Sequence, residues 1–398
     1  MKNKIIVFIV TFVVMVLATP FVFDKLMNSK FNKMLENLQK QGYVIKEIEN
    51  KSSYLTTDRV FKVVVPGEKI DNSGYIKDIV LEVESKFKNL PVTDVKFLGK
   101  ILKVESIDKA FEEQINQIIK DKIRFFVVTP NFKTYKYRLF DTDLLAGLNE
   151  MKLTGIEGVY DYPYKNILKA KSLVYKDVKG IILEIKQFTH KFEEKENTLK
   201  NDMKFNFYAT LNNQKVTLLN VKTDSITYLG NKIKSISNLQ FDTLNFVNNI
   251  IIKNFKLNFF ADNIDGKIVK KLQNTNDRFQ REQLIKELVS KGMDLKLDLK
   301  IKDIEAMKQK LGFFDLNSKL KILPDPMLFD KLNKNDLSDL EIFVDLKTTP
   351  QISTLLMNVI PQSAFAFALA KKEKGTVELI LKVQNGVIYI NGEKIKSN

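Results

Sequence analysis

Side chains able to do acid–base or metal chemistry are few. His190 is the only histidine, and cysteine is absent. A Ser-His-Asp relay or an imidazole-built metal centre would have to form around that one ring. The lack of Cys excludes a catalytic thiol, thiolate metal sites and lipid attachment through an N-terminal Cys. His190 stands in Thr189-His190-Lys191 at the end of an alternating segment, with Glu193 and Glu194 nearby. An isolated histidine without a motif partner reads as exposed or capping. Counts leave room for an Asp/Glu pair of the kind that cleaves glycosidic bonds. Nothing marks such a pair, and the chain has no Trp for a sugar to stack on. Asp141-Thr142-Asp143 opens like a calcium loop, but the required Gly and distal Glu do not follow. Gly155-Ile156-Glu157-Gly158 has the wrong surroundings for a phosphate loop and reads as a turn. The expectation is no catalytic residue, no cofactor and no metal. A hydrolase built on an unmarked carboxylate pair is the remote alternative.

The 29 Phe residues are the other constellation. Phe205 and Phe207 recur at spacing two, as do Phe255, Leu257 and Phe259, so each set shares one face of a strand. Such a face either packs as core or forms an apolar groove for acyl chains, and both readings stay open.

These residues need strands to position them, and period-two alternation is the commonest pattern beyond Gly42. Leu295, Leu297, Leu299 and Ile301 alternate with Lys296, Asp298 and Lys300. Met203, Phe205, Phe207 and Ala209 repeat the rhythm, as do Leu340, Ile342, Val344 and Leu346. Antiparallel sheets with one wet face give this pattern. Asn385-Gly386 between apolar alternations is a strong hairpin signal; Asn391-Gly392 closes the returning strand, and Asn212-Asn213 is a weaker turn of the same kind. Helices are expected near 107–120, capped by Ser106, near 279–291, over the short stretch 303–311, and over 353–371 broken at Pro361. The 279–291 helix carries Leu284, Ile285, Leu288 and Val289 and ends at Gly292. Tyr162-Pro163 and Leu323-Pro324-Asp325-Pro326 are candidate breaks.

Residues 5–23 carry no charge, with Lys2 and Lys4 before them and Asp24 and Lys25 after. Ile5, Phe8, Phe12, Val16 and Phe23 stand for this apolar run. At about 1.5 Å per residue it just crosses a hydrocarbon core of about 30 Å. The leading lysines place the N-terminus in the cytoplasm and the body beyond the inner membrane, in the periplasm. A signal peptide cleaved after Val16-Leu17-Ala18 is the alternative, and either reading exports the chain. Residues 24–41 then read as an amphipathic helix on Leu26, Met27, Phe31, Met34, Leu35 and Leu38, which could pack on the body, lie on the bilayer or pair with a second copy. The net charge of +16 is spread along the chain. It reads as solvated strand faces, with an anionic membrane surface the next candidate and no nucleic acid expected.

The two ends of the chain together resemble the YdgA-like family of membrane-anchored periplasmic proteins. The resemblance rests on the N-terminal apolar segment and following helix, the strand entry Ser53-Tyr54-Leu55-Thr56-Thr57, and the closing hairpin from Gly375 to Gly392 with Val383-Gln384-Asn385-Gly386 and Ile390-Asn391-Gly392. It implies a periplasmic body on an inner-membrane anchor, with self-association, and brings no catalytic residues.

The expected fold is α+β and strand-dominated, with extended antiparallel sheets and interspersed helices after one N-terminal transmembrane helix. The expected divisions are 1–24 (anchor), 25–42 (juxtamembrane helix), 43–162 and 163–398. A non-enzymatic envelope protein with an interaction or assembly role follows. A lipid-binding or lipid-transfer protein with an apolar groove, as in AsmA-like envelope proteins, is the alternative. The partners implied are the membrane, a second copy, or lipid.

Overall fold

The computed structural model describes residues 25–69, 74–90, 94–146, 149–212, 214–275, 277–361 and 363–395. Ile5, Phe8, Phe12, Val16 and Phe23 lie outside the described residues. Among those described, no helix is long and apolar enough to cross a membrane. The chain is dominated by antiparallel strands and divides into two compact units after Lys179. Tyr162–Pro163 is not that division. It is a turn within the first unit, across which Lys165 pairs back to Asp161.

The first unit is a meander. β1 (Val44–Ser52), β2 (Thr56–Pro66), β3 (Ile76–Lys88), β4 (Val95–Ser106), β5 (Arg124–Thr129) and β6 (Thr134–Leu139) each pair with the next. Two bent lines then follow. β6 and β7 (Thr142–Ala146) pair with β9 (Glu157–Asp161) and β8 (Asn149–Thr154), and both of those pair with β10 (Lys165–Lys176). The expected turn at Gly155 is the bend between β8 and β9, taken at φ +60.

Helix α1 (25–40) follows the apolar spacing read from the sequence and packs on its own unit. Phe31 is fully buried, with ring centroids of Phe61, Phe87 and Phe97 at 5.6–5.9 Å. Helix α2 (Lys109–Ile119) packs Ile115, Ile118 and Ile119 over Val104 and Leu144. Its cap is Asp108 rather than Ser106: Asp108 Oδ1 accepts from Phe111 N at 3.1 Å, while Ser106 Oγ donates to Tyr75 O. Asp108 has the extended backbone of an N-cap, and Ser106 still belongs to β4.

The second unit is a meander of longer strands. β11 (Ile182–Lys195), β12 (Thr198–Leu211), β13 (Gln214–Tyr228), β14 (Lys232–Phe246), β15 (Ile250–Asp265), β16 (Met293–Ala306), β17 (Gln309–Ile322) and β18 (Leu340–Thr348) pair in chain order. β19 (Lys371–Glu373), β20 (Thr376–Gln384), β21 (Val387–Ile390) and β22 (Glu393–Ile395) complete it, with β20 pairing to β18. Asn385-Gly386 and Asn391-Gly392 all have positive φ, as two-residue hairpin turns require.

Helices α3 (Gly266–Gln273) and α4 (Arg278–Ser290) connect β15 to β16, α5 (Leu328–Asn333) connects β17 to β18, and α6 (Pro350–Val359) and α7 (Ser363–Ala368) break around Pro361 as expected. One expected helix is corrected. The stretch 303–311 is a hairpin, with Ala306 paired to Gln309 across Met307 and Lys308, both at positive φ. Pairing along β15 and β17 overrides the helical spacing of so short a window. In α4, Leu288 and Val289 pack against the cluster of Met293, Ile322 and Leu328, while Ile285 is 50% exposed.

Candidate functional site

His190 and Asp141, singled out by residue type, each make a hydrogen bond between strand segments. His190 lies within β11, where Nε2 is 2.8 Å from Asn201 Oδ1 on β12. Asp141 Oδ1 accepts from Gly155 N at 2.8 Å and so ties the β8–β9 bend to the start of β7. Among the described residues no group of three or more His, Asp and Glu side chains could hold a metal ion. Carboxylates converge in pairs on single lysines, most tightly at Lys331, whose Nζ lies 2.5 Å from Asp325 Oδ2 and 2.8 Å from Asp339 Oδ2. The lysine, then the Met327 N–H, lowers the pKa of Asp325, which favours its ionised form. This cluster staples α5 to the start of β18.

The alternating strands place Phe205, Phe207, Phe255, Leu257 and Phe259 on one face of the second unit. Register carries that face from strand to strand. Met203, Thr223, Leu239, Leu257, Leu299, Leu316, Leu346 and Leu379 stand opposite one another in turn, forming one row across eight strands. On β15, Phe255 stands between Phe241 and Ile301, and Phe259 between Ser237 and Leu297. The Phe241 and Phe255 rings stack at 4.5 Å. Phe205 and Phe207, on β12, meet Val221 and Leu218.

Helices cover two parts of this face, both on the side of β15–β22. α4 and α5 pack Leu288, Val289, Leu328 and Leu332 over Met293 and Ile322. α6 and α7 pack Leu356, Met357 and Phe367 over Leu346, Val377 and Leu379. Met203, Leu239, Leu257, Leu299, Phe207 and Phe259 belong to neither cluster and remain half-buried. The face is therefore packed under helices around β16–β20, and on β12–β15 it carries half-buried apolar side chains outside those clusters.

The opposite face carries a row that sequence reading missed. Asp202, Asp224, Asn238, Asn258, Asp298, Asn317 and Asp345 stand opposite one another across seven strands. Asn238 donates to Asp224 at 2.7 Å and Asn258 to Asp298 at 3.2 Å. Beside it runs a row of Lys204, Lys222, Gln240, Lys256 and Lys300. Lysine and carboxylate rows thus lie next to one another on the wet face, which accounts locally for basic residues spaced singly along the sequence. Each strand contributes only one Asp or Asn to the row, so the signal is invisible without the register.

Comparison with known proteins gave no match to a family model, a curated protein or a solved structure.

Proposed function

We propose that the chain is a membrane-tethered, non-enzymatic envelope protein whose second unit holds acyl chains along its apolar face. The observation that carries this reading is the half-buried row from Met203 to Leu299 on β12–β16, which belongs to neither of the two helix-covered clusters. Apolar surface of this extent is costly in water and is ordinarily matched by a partner. The tether is the uncharged run 5–23, with lysines before it that set the N-terminus in the cytoplasm and the body in the periplasm. The resemblance of the chain's ends to the YdgA-like family fits that topology.

The test is mass spectrometry of lipids extracted from the full chain purified in detergent. Acyl lipid is expected in stoichiometric amount. Replacing Leu239 and Leu257 by Asn should remove it while leaving the circular dichroism of the sheet. Wild-type protein free of lipid would overturn the reading.

An assembly role is the second reading, favoured by the outer side of α6 and α7. Leu355, Val359, Ile360 and Phe365 are 49–70% exposed there, and residues 348–370 contain no charged side chain. Because the chain has no Cys, a single cysteine placed at Phe365 would report self-association by disulfide crosslinking in membranes. Monomer alone would count against it.

A further inference from the structure

The first unit contains a cleft of about 890 Å³ beside α1. That is within the range of sites that hold small molecules. Two stripes of α1 explain how it forms. Met27, Phe31 and Leu35 face the core and fix the helix in place. Lys30, Lys33, Asn37 and Lys40, at spacings of three and four, form one wall of the cleft.

The opposite wall is a turn between β5 and β6. Phe132 sits there at φ +56, a conformation that a bulky residue adopts only when its surroundings impose it. Thr129 Oγ1 accepts from Phe132 N at 2.8 Å, and Asn131 Oδ1 accepts from Lys133 N at 2.9 Å and Thr134 N at 2.8 Å. Tyr135 Oη donates to Phe132 O at 2.9 Å, and the Phe132 ring meets Phe31 edge-on at 6.2 Å. The strained turn holds Phe132 and Lys133 in the cleft.

The floor is aromatic. Tyr135 stacks on Tyr160 at 6.4 Å, and Tyr160 meets Tyr162 edge-on at 6.2 Å. Burial, then the neighbouring phenols, pushes the pKa of Tyr135 and Tyr160 up, so both are neutral at physiological pH. The hydroxyls of Tyr43, Tyr160 and Tyr162 have no hydrogen-bond partner among the described residues. Lys30, Lys33, Lys40 and Lys133 have no ion-pair partner there either, and no carboxylate lines the cleft. Four unpaired ammonium groups and three open phenol donors around an apolar floor are complementary to an oxyanion carried on an apolar body.

We propose that this cleft binds the phosphate of an anionic phospholipid headgroup, with the glycerol and first methylenes against Met34, Leu38 and Phe132. Helix geometry supports a lipid source: Lys30 and Lys33 lie only about 8–12 Å along α1 from Lys25, at about 1.5 Å per residue. That choice of source rests on the tether reading above. The anion site itself does not, and it is separate from the apolar face of the second unit.

The test is calorimetric titration of the full chain in neutral detergent micelles. The probes are dihexanoyl phosphatidylglycerol, dihexanoyl phosphatidylcholine and inorganic phosphate. Saturable binding of the phosphatidylglycerol is expected, at least about tenfold tighter than either other probe. Lys40→Glu with Lys133→Glu, both at exposed positions, should weaken it at least about tenfold with unchanged circular dichroism. Tyr162→Ala should weaken it about threefold or more. Equal binding of the two lipids, or no loss on double charge reversal, would overturn the proposal. Phosphate binding as tight as the lipid would overturn the lipid assignment in favour of a soluble anion. If carbonate extraction released the chain from membranes while lipid binding and its loss persisted, the tether reading would fail and the cleft would stand.

Discussion

Arg59 grips Glu47 with both arms of its guanidinium: Nε donates to Oε1 at 2.8 Å and Nη2 to Oε2 at 3.0 Å. The arginine is 6% exposed, lies over the rings of Phe31 and Phe61 at 4.9 and 5.1 Å, and donates from Nη1 to Asn32 Oδ1 on α1 at 2.8 Å. One side chain therefore joins β1, β2 and the helix that walls the cleft. Glu47→Gln should destabilise the first unit by about 3 kcal/mol, because it leaves a buried cation without its counter-charge. Arg59→Lys should not substitute, since an ammonium cannot fork. Urea denaturation of each variant measures this, and a loss under about 1 kcal/mol for Glu47→Gln would contradict it.

Phe31 is the centre of the aromatic cluster that seats α1. Phe31→Ala should cost about 3–5 kcal/mol through lost burial and the cavity left behind. Leu26→Ala, at a half-exposed position on the same helix, should change stability by less than about 0.5 kcal/mol. Limited proteolysis should cut α1 early in the first variant and leave it intact in the second.

Glu112 gives the first unit an acid-sensitive joint. Lys109, the Ser106 N–H and Lys103 together hold its carboxyl down at about 2. The folded pKa is below the unfolded one, so the ionised group contributes stability at pH above about 4.5, and that contribution is lost as pH falls through about 2. The melting temperature of wild type should therefore exceed that of Glu112→Gln at pH 6, and the gap should close between pH 4 and pH 2. A gap independent of pH would show that the interaction is not ionic.

Gly99 and Phe125 are opposed on β4 and β5, and the phenyl ring lies where a side chain at 99 would stand, with Phe125 Cζ 2.1 Å from an added Cβ. Gly99→Val should destabilise by about 1–3 kcal/mol through displacement of that ring. Phe125→Ala in the same chain should recover part of the loss, a coupling that a double-mutant cycle reads directly. Additive effects would mean that the ring moves aside freely.

Some of this fold was legible in the residues alone. Helix α1, the break at Pro361 and the turns at Asn385-Gly386 and Asn391-Gly392 follow from spacing, from proline's missing N–H and from residues that tolerate positive φ. These are interactions within a few residues of each other. The misreading of 303–311 has the same origin, because a nine-residue window contains no information about the strands on either side.

The amino-acid sequence by itself determined that the chain is built of alternating strands, that each has one apolar and one charged face, and that Phe205, Phe207, Phe255, Leu257 and Phe259 share faces on their own strands. It did so because side-chain direction in a strand depends only on parity. Tertiary structure decided which residue stands opposite which. A row such as Asp202 to Asp345, the row from Met203 to Leu299, the Arg59–Glu47 fork and the convergence of Lys30, Lys133 and Tyr160 on one cleft all depend on register and on how a helix docks. Those are settled by contacts between segments far apart in the chain, and no local pattern encodes them.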